Sequence, residues 1–404
     1  MERFLTGVNY WPRKKAMYWW SDFDPGEVAD DFDVIAGLGM DVVRIFLVWD
    51  DWQPTPDRVP SERLADLGVV LDIAADLGLG IDLTFFTGHM SGPNWSPGWL
   101  LDETPGVFPG PYHRQVISGG KPVETTYRNM FHDPVALDAE RLLLGTVVKR
   151  YRDHPGIWMW NLGNEPDLFA HPHSAEAGRS WTRQMIGTVK DLDDSHPVTV
   201  GLHVASLFED NGFRVDQVFA EADVAVIHGY PMYVPWSRDP LDAEFVPYLC
   251  ALVTALCGKP CLAEEWGGCT APEGRQSEVW AWNSYGRDRT QFMAGEEQFA
   301  DYVAEVLPKL VGVGSSGALL WCFADYHPDL WNRAPCDAAG SKHERHFGLI
   351  RPDGTLKPHS EVIRKFAEAN PAVGAPNKTV TLDGTPDEYY QDPLGNAKRM
   401  YANW

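Results

Sequence analysis

No stretch of the 404 residues approaches the roughly 18 consecutive apolar side chains that mark a membrane-spanning helix, so none is expected. Positive charge is scarce. Lys and Arg number 34 against 57 Asp and Glu, a net charge of −23, which argues against a nucleic-acid backbone or an anionic membrane as partner. The six cysteines all lie between 250 and 336 and form no Cys-x-x-Cys pair. In a chain too large to need covalent staples they read as free thiols, and no metal site is expected. The opening residues 1–7 show neither the basic start nor the apolar core of a secretory leader, so a cytoplasmic location is the expectation. Linkers, low-complexity tracts and clear internal repeats are also missing. One domain is therefore expected over 1–370, with 371–404 a polar extension lying against it.

What is present is a large apolar fraction, 44%, enough for a sizeable core. Tryptophan is abundant, at 17 residues, and many sit in Pro/Gly-rich loops. Trp11, Trp95 and Trp266 are possible platforms for the flat apolar face of a sugar. Along the chain, β-branched runs alternate with helical periodicity. Strands are predicted over 4–9, 41–48, 81–87, 157–164, 198–203, 224–228, 260–265 and 317–323. Helix starts carry their signals: Asp24-Pro25 and Asp133-Pro134 place a capping carboxylate before a first-turn proline. Eight near-continuous apolar strands separated by helices or crossover-length segments predict a closed (β/α)8 TIM barrel. Long loops, 90–132 and 266–292 among them, follow strands three, seven and eight, so they belong to the C-terminal face. Gly312-Val313-Gly314-Ser315-Ser316-Gly317 fits a dinucleotide fingerprint literally, but it follows a helix and precedes a strand. That is the reverse of the required order, and no cofactor is expected.

Two strands end in carboxylates. Strand four runs Ile157-Trp158-Met159-Trp160-Asn161-Leu162-Gly163-Asn164-Glu165 and stops at Pro166, which cannot donate to a ladder. Strand seven ends in Glu264-Glu265-Trp266-Gly267. A pair of acids at one barrel mouth suits an acid/base and a nucleophile. Side-chain alternation along a strand is expected to turn only one of Glu264 and Glu265 inward. Other strand ends supply Arg44, His89, His228, Tyr230 and Trp321.

That ordered set resembles the retaining glycoside hydrolases of clan A, and most of all family 5, with its cellulases and mannanases. The match rests on Arg44, His89, Asn164-Glu165, His228-Gly229-Tyr230, Glu265-Trp266-Gly267 and Trp321, and spans roughly 4–370. The resemblance implies Glu165 as acid/base and Glu265 as nucleophile, with Arg44 and Tyr230 keeping Glu265 ionised. It implies Asn164 at the sugar 2-hydroxyl, Trp321 beneath the sugar, and His89 and His228 as further substrate-binding residues. Nearby negative charge and desolvation are expected to keep Glu165 protonated. Within the family the chain resembles the mannan-directed members. The implied substrate is a neutral β-linked oligosaccharide, and the implied activity an exo-acting β-mannosidase cutting terminal β-1,4-linked mannose, for example from mannosyl-N-acetylglucosamine. The rivals are an endo-β-1,4-mannanase or glucanase and, from another class, a barrel that only binds glycans.

Overall fold

A computed structural model describes residues 3–102, 115–284, 287–337 and 340–404. Its centre is eight parallel strands: β1 Leu5–Asn9, β2 Val42–Val48, β3 Gly80–Thr87, β4 Ile157–Asn164, β5 Val198–Gly201, β6 Ala225–His228, β7 Cys261–Gly267 and β8 Gly317–Trp321. Their spatial order is β5-β4-β3-β2-β1-β8-β7-β6. The ring closes where His203 forms a parallel bridge with His228. There the His228 N–H donates to the Leu202 carbonyl at 2.9 Å and the Val204 N–H to the His228 carbonyl at 3.1 Å. This is the expected (β/α)8 barrel.

The local reasons are those the sequence suggested. Every residue of β2, β7 and β8 is buried, as strands covered on both faces require. Asp24 accepts from the Gly26 and Glu27 N–H groups, and Asp133 from those of Val135 and Ala136, each ahead of a first-turn proline. The helix Val215–Glu221 between β5 and β6 was not foreseen; two turns carry too little periodicity to read.

The C-terminal-face loops are more ordered than their composition suggested. In the 90–132 insertion, of which 103–114 lie outside the described residues, Asn94–Trp95 pairs with Val116–Ser118, and Leu101–Asp102 with Thr126–Tyr127. After β7 an antiparallel hairpin joins Glu278–Ser284 to Arg287–Met293. On its first strand Trp280 and Trp282 turn inward, while Val279, Ala281 and Asn283 face solvent. The final residues form helices Pro386–Tyr389 and Pro393–Asn403. The Tyr389 and Tyr390 hydroxyls donate to the Leu207 and Ser206 carbonyls at 2.8 and 2.7 Å, and the Tyr401 ring packs 4.8 Å from Tyr248. Among the described residues no helix is long and apolar enough to cross a membrane.

Candidate active site

The site is built upward from one buried cation. Arg44, on β2, is fully buried. Its Nη1 donates to Glu265 Oε1 at 2.6 Å and to Asn9 Oδ1 at 3.1 Å, its Nη2 to Asn164 Oδ1 at 3.0 Å, and its Nε to Thr84 Oγ1 at 2.9 Å. A guanidinium in this setting keeps its charge, and the carboxylates around it compensate its burial. Gly201 leaves the room: a Cβ there would lie 2.9 Å from Arg44 Nη2 and 2.6 Å from the Gly163 carbonyl oxygen.

Glu264 and Glu265 both enter this network, which corrects the expectation from strand alternation. Glu264 accepts from Asn161 Nδ2 at 3.0 Å, pairs with His228 Nε2 at 2.9 Å and lies 3.5 Å from Arg44. The β6–β7 register shifts between Ile227 and His228, and the β7–β8 register between Ala263 and Trp266. An irregularity at that point breaks the two-residue period, so adjacent side chains share the barrel interior. Glu264 lies inside the barrel; Glu265, at the mouth, also accepts from the Tyr230 hydroxyl at 2.9 Å.

Glu165 caps β4 in the left-handed region, φ 44° and ψ 56°, with its N–H donating to the Gly201 carbonyl at 2.9 Å. A non-glycine residue held there costs about 1–3 kcal/mol, strain of the kind that gathers at functional sites. Three imidazoles surround its carboxyl: His228 Nδ1 at 3.1 Å, and His203 Nδ1 and His89 Nε2 each at 3.9 Å. One carboxyl oxygen of Glu165, one of Glu265 and a His228 ring nitrogen all lie within 4.8 Å of one another. Among the described residues this is the set with spacing for a metal ion. The permanent charge of Arg44 at 2.6 Å from Glu265, and the engagement of both His228 nitrogens, make it an acid–base cluster.

The electrostatics reverse one expectation. Burial pushes the Glu165 carboxyl up, but the charge of His203, the hydrogen bond and charge of His228 and the charge of His89 outweigh it and pull it below its ordinary value. For Glu265, burial pushes up and Glu165 adds to it; together these exceed the opposing pull of His228, Arg44 and Tyr230. Burial lowers the His228 imidazole, yet Glu265 and the hydrogen bonds to Glu165 and Glu264 raise it to about 9. These opposite directions favour the proton on the imidazole over the Glu165 carboxyl beside it.

The cavity over this cluster has a volume of about 640 Å³, ample for a short oligosaccharide. Of the predicted residues, Glu165, Glu265, His89, Asn164, His228, Tyr230 and Trp321 line it. Arg44 lies beneath the floor. Trp11, Trp95 and Trp266 do not line it. Trp11 stacks on Phe46 at 5.0 Å, Trp95 meets the Tyr18 edge at 5.5 Å, and Trp266 packs toward Tyr302 at 6.3 Å; all three are buried. Trp236, from the loop after β6, and Trp282, from the hairpin, line the cavity instead. Sequence reasoning also missed His203, paired with Asp167, and Glu344, from the loop after β8. Burial, reinforced by the charge of Glu265, pushes Glu344 up to about 8. The one available signal was position: His203 ends the predicted fifth strand.

A family model described as beta-galactosidase, of glycoside hydrolase family 42, matches residues 17–210. Mannan endo-1,4-beta-mannosidase A of Hypocrea jecorina is 25% identical over 280 residues, which are 63% of this chain and 59% of that protein. The chain thus matches somewhat over half the length of that relative. Among solved structures, GH5_18 of Streptomyces cattleya in complex with GlcNAc superposes with a TM-score of 0.78 at 22% identity, covering 100% of this chain and 92% of that one. GH5_18 of Bifidobacterium longum in complex with Manb1-4GlcNAc gives 0.75 at 22%, covering 93% and 81%. The chain thus shares the (β/α)8 barrel of these solved structures and is similar over part of its length to a beta-galactosidase family model and to mannan endo-1,4-beta-mannosidases.

Proposed function

We propose that the protein is a retaining β-glycosidase, an exo-acting β-mannosidase that releases terminal β-1,4-linked mannose from short neutral oligosaccharides such as mannosyl-N-acetylglucosamine. The observation that carries the mechanism is the approach of the Glu165 and Glu265 carboxyl oxygens to within 4.8 Å. Retaining enzymes hold their carboxyl groups about 5–5.5 Å apart, inverting ones about 6.5–9.5 Å to admit a water.

Glu265 is the nucleophile. Arg44 at 2.6 Å and the Tyr230 hydroxyl at 2.9 Å aim its two oxygens and favour its charged form. Glu165 is the acid and then the base. Its proton comes from His228, whose Nδ1 sits 3.1 Å from Oε1. When a sugar expels water, the low dielectric disfavours the imidazolium–carboxylate pair and moves that proton onto Glu165. Glu265 attacks the anomeric carbon as Glu165 protonates the leaving oxygen; Glu165 then takes a proton from the water that releases the sugar. Asn164 is oriented by Arg44 and by its own donation to the His89 carbonyl at 3.0 Å, and meets the 2-hydroxyl with its remaining capacity. Trp321 is the platform.

Loops after β3, β6, β7 and β8 wall the cavity, which favours a pocket for a chain end. The endo-acting reading is supported by the likeness to the mannan endo-1,4-beta-mannosidase of Hypocrea jecorina. Rates on a nitrophenyl β-mannoside and product patterns from mannohexaose separate the two. Mid-chain cutting without aryl-mannoside turnover would overturn the exo reading, and a 2-fluoromannosyl label landing elsewhere than Glu265 would overturn the mechanism.

A further inference from the structure

His203 follows β5 and lines the cavity. Its Nε2 is 2.8 Å from Asp167 Oδ2, which also accepts from Asn211 Nδ2 at 2.9 Å. An aspartate bracing one ring nitrogen fixes the ring plane and requires a proton on that nitrogen. Among the described residues the other nitrogen, Nδ1, has no hydrogen-bond partner; Glu165 Oε1 is 3.9 Å away. This is the arrangement of a group held ready for a ligand, on a side chain that acts on Glu165 by its charge and is assigned no contact with the sugar.

Its position in the ring says which part of the ligand. β5 lies between β4, which carries Glu165, and β6, while Trp321 on β8 lies across the barrel. If the sugar under attack rests on Trp321, a group beside Glu165 on the opposite side of the mouth faces the departing sugar. In a hydrogen-bonded path, Glu165 reaches the bridging oxygen at about 2.7 Å and Nδ1 reaches a second oxygen at about 2.8 Å. With Nδ1 and Oε1 3.9 Å apart, the two can serve neighbouring oxygens of one ligand at the same time. A hydroxyl on the carbon next to the bridging oxygen meets that condition.

We propose that His203, braced by Asp167, recognises the leaving sugar by a hydrogen bond between Nδ1 and the hydroxyl vicinal to the bridging oxygen, the 3-hydroxyl of a 4-linked sugar. The assignment rests on the proposed glycosidase reading. It makes the leaving-side preference a property of β5 and of the segment after β4, and it selects a pyranose that carries that hydroxyl.

The test uses two disaccharides, β-1,4-mannosyl-N-acetylglucosamine and its analogue lacking the 3-hydroxyl on the leaving sugar. Wild-type protein should process the analogue with a kcat/KM about 10- to 100-fold lower, the range of one hydrogen bond to a charged group. In His203→Gln and His203→Asn the intact substrate should fall toward the analogue, so that the two differ by less than about threefold. Asp167→Asn should narrow the same gap. Equal proportional losses on both substrates would mean that His203 acts through Glu165, and would overturn the assignment. So would wild-type protein that does not distinguish the substrates, a result that needs no variant to fold. Absence of wild-type hydrolysis of any β-mannoside would instead refute the glycosidase reading itself.

Discussion

Replacing Arg44 with methionine isolates what holds the site together. The substitution keeps most of the side-chain volume and removes the one permanent cation among three buried carboxyls. Glu265 lies at 2.6 Å, Glu264 at 3.5 Å and Asp82 at 3.8 Å, all essentially without solvent. It also strips donors from Asn9, Thr84 and Asn164. Removing one partner of a buried ion pair typically costs about 3–5 kcal/mol, because the stranded charge must be neutralised or solvated. With an unfolding entropy of about 2.1 cal/mol/K per residue, a chain of 404 residues loses roughly 5 °C of melting temperature for about 4 kcal/mol. Urea titration followed by tryptophan fluorescence reads the change directly. The stranded carboxyls should also recover stability as pH falls and they protonate, so the variant's deficit should shrink toward acid pH. Glu265 loses a group that opposes its protonation, so the acid limb of kcat/KM should move to higher pH. A deficit under about 1 kcal/mol, or one independent of pH, would refute the view that Arg44 neutralises this cluster.

Glu165→Gln should lower kcat on a sugar leaving group about 10²- to 10⁴-fold while sparing an activated nitrophenolate; steady-state rates on the two substrates check it, and equal losses would contradict the acid role. The alkaline limb of kcat/KM should follow the His228 proton. That imidazole is raised to about 9, so activity is retained below that value and lost as pH rises through it; a rate profile from pH 5 to 10.5 reads the limb. Tyr401→Ala removes a buried ring packed on Tyr248, Phe245 and Trp236 and a hydroxyl bonded to Asp242. It should cost about 3 kcal/mol in urea unfolding, since the final helix is part of the packed body. A change under 0.5 kcal/mol would show that the tail is dispensable.

How far the sequence could be read depended on whether the signal was local. Strands and long helices were legible because apolar period, capping acids and first-turn prolines act within a few residues, and the (β/α)8 order follows from counting them. The catalytic candidates were legible because barrel topology sends strand ends to one rim. The hairpin after β7 was not: its inward and outward residues alternate Trp with Ala and Asn, which polarity alone does not separate. Trp11, Trp95 and Trp266 went wrong for a related reason, since an indole in a Pro/Gly-rich loop looks the same whether it faces a ligand or packs on a phenyl ring.

The chain by itself determined the barrel, the carboxylates Glu165 and Glu265, and the charged and aromatic residues around them. Only the folded molecule decided how they act on one another. The irregularity in β7 brought Glu264 inside beside Glu265, against the alternation expected of a strand. Three imidazoles from β3, β5 and β6 converged on Glu165 and reversed the expected sign of its proton affinity. Hydrophobic period is written in neighbouring residues, whereas a protonation state is the sum of charges brought within a few ångströms by strands far apart in the chain.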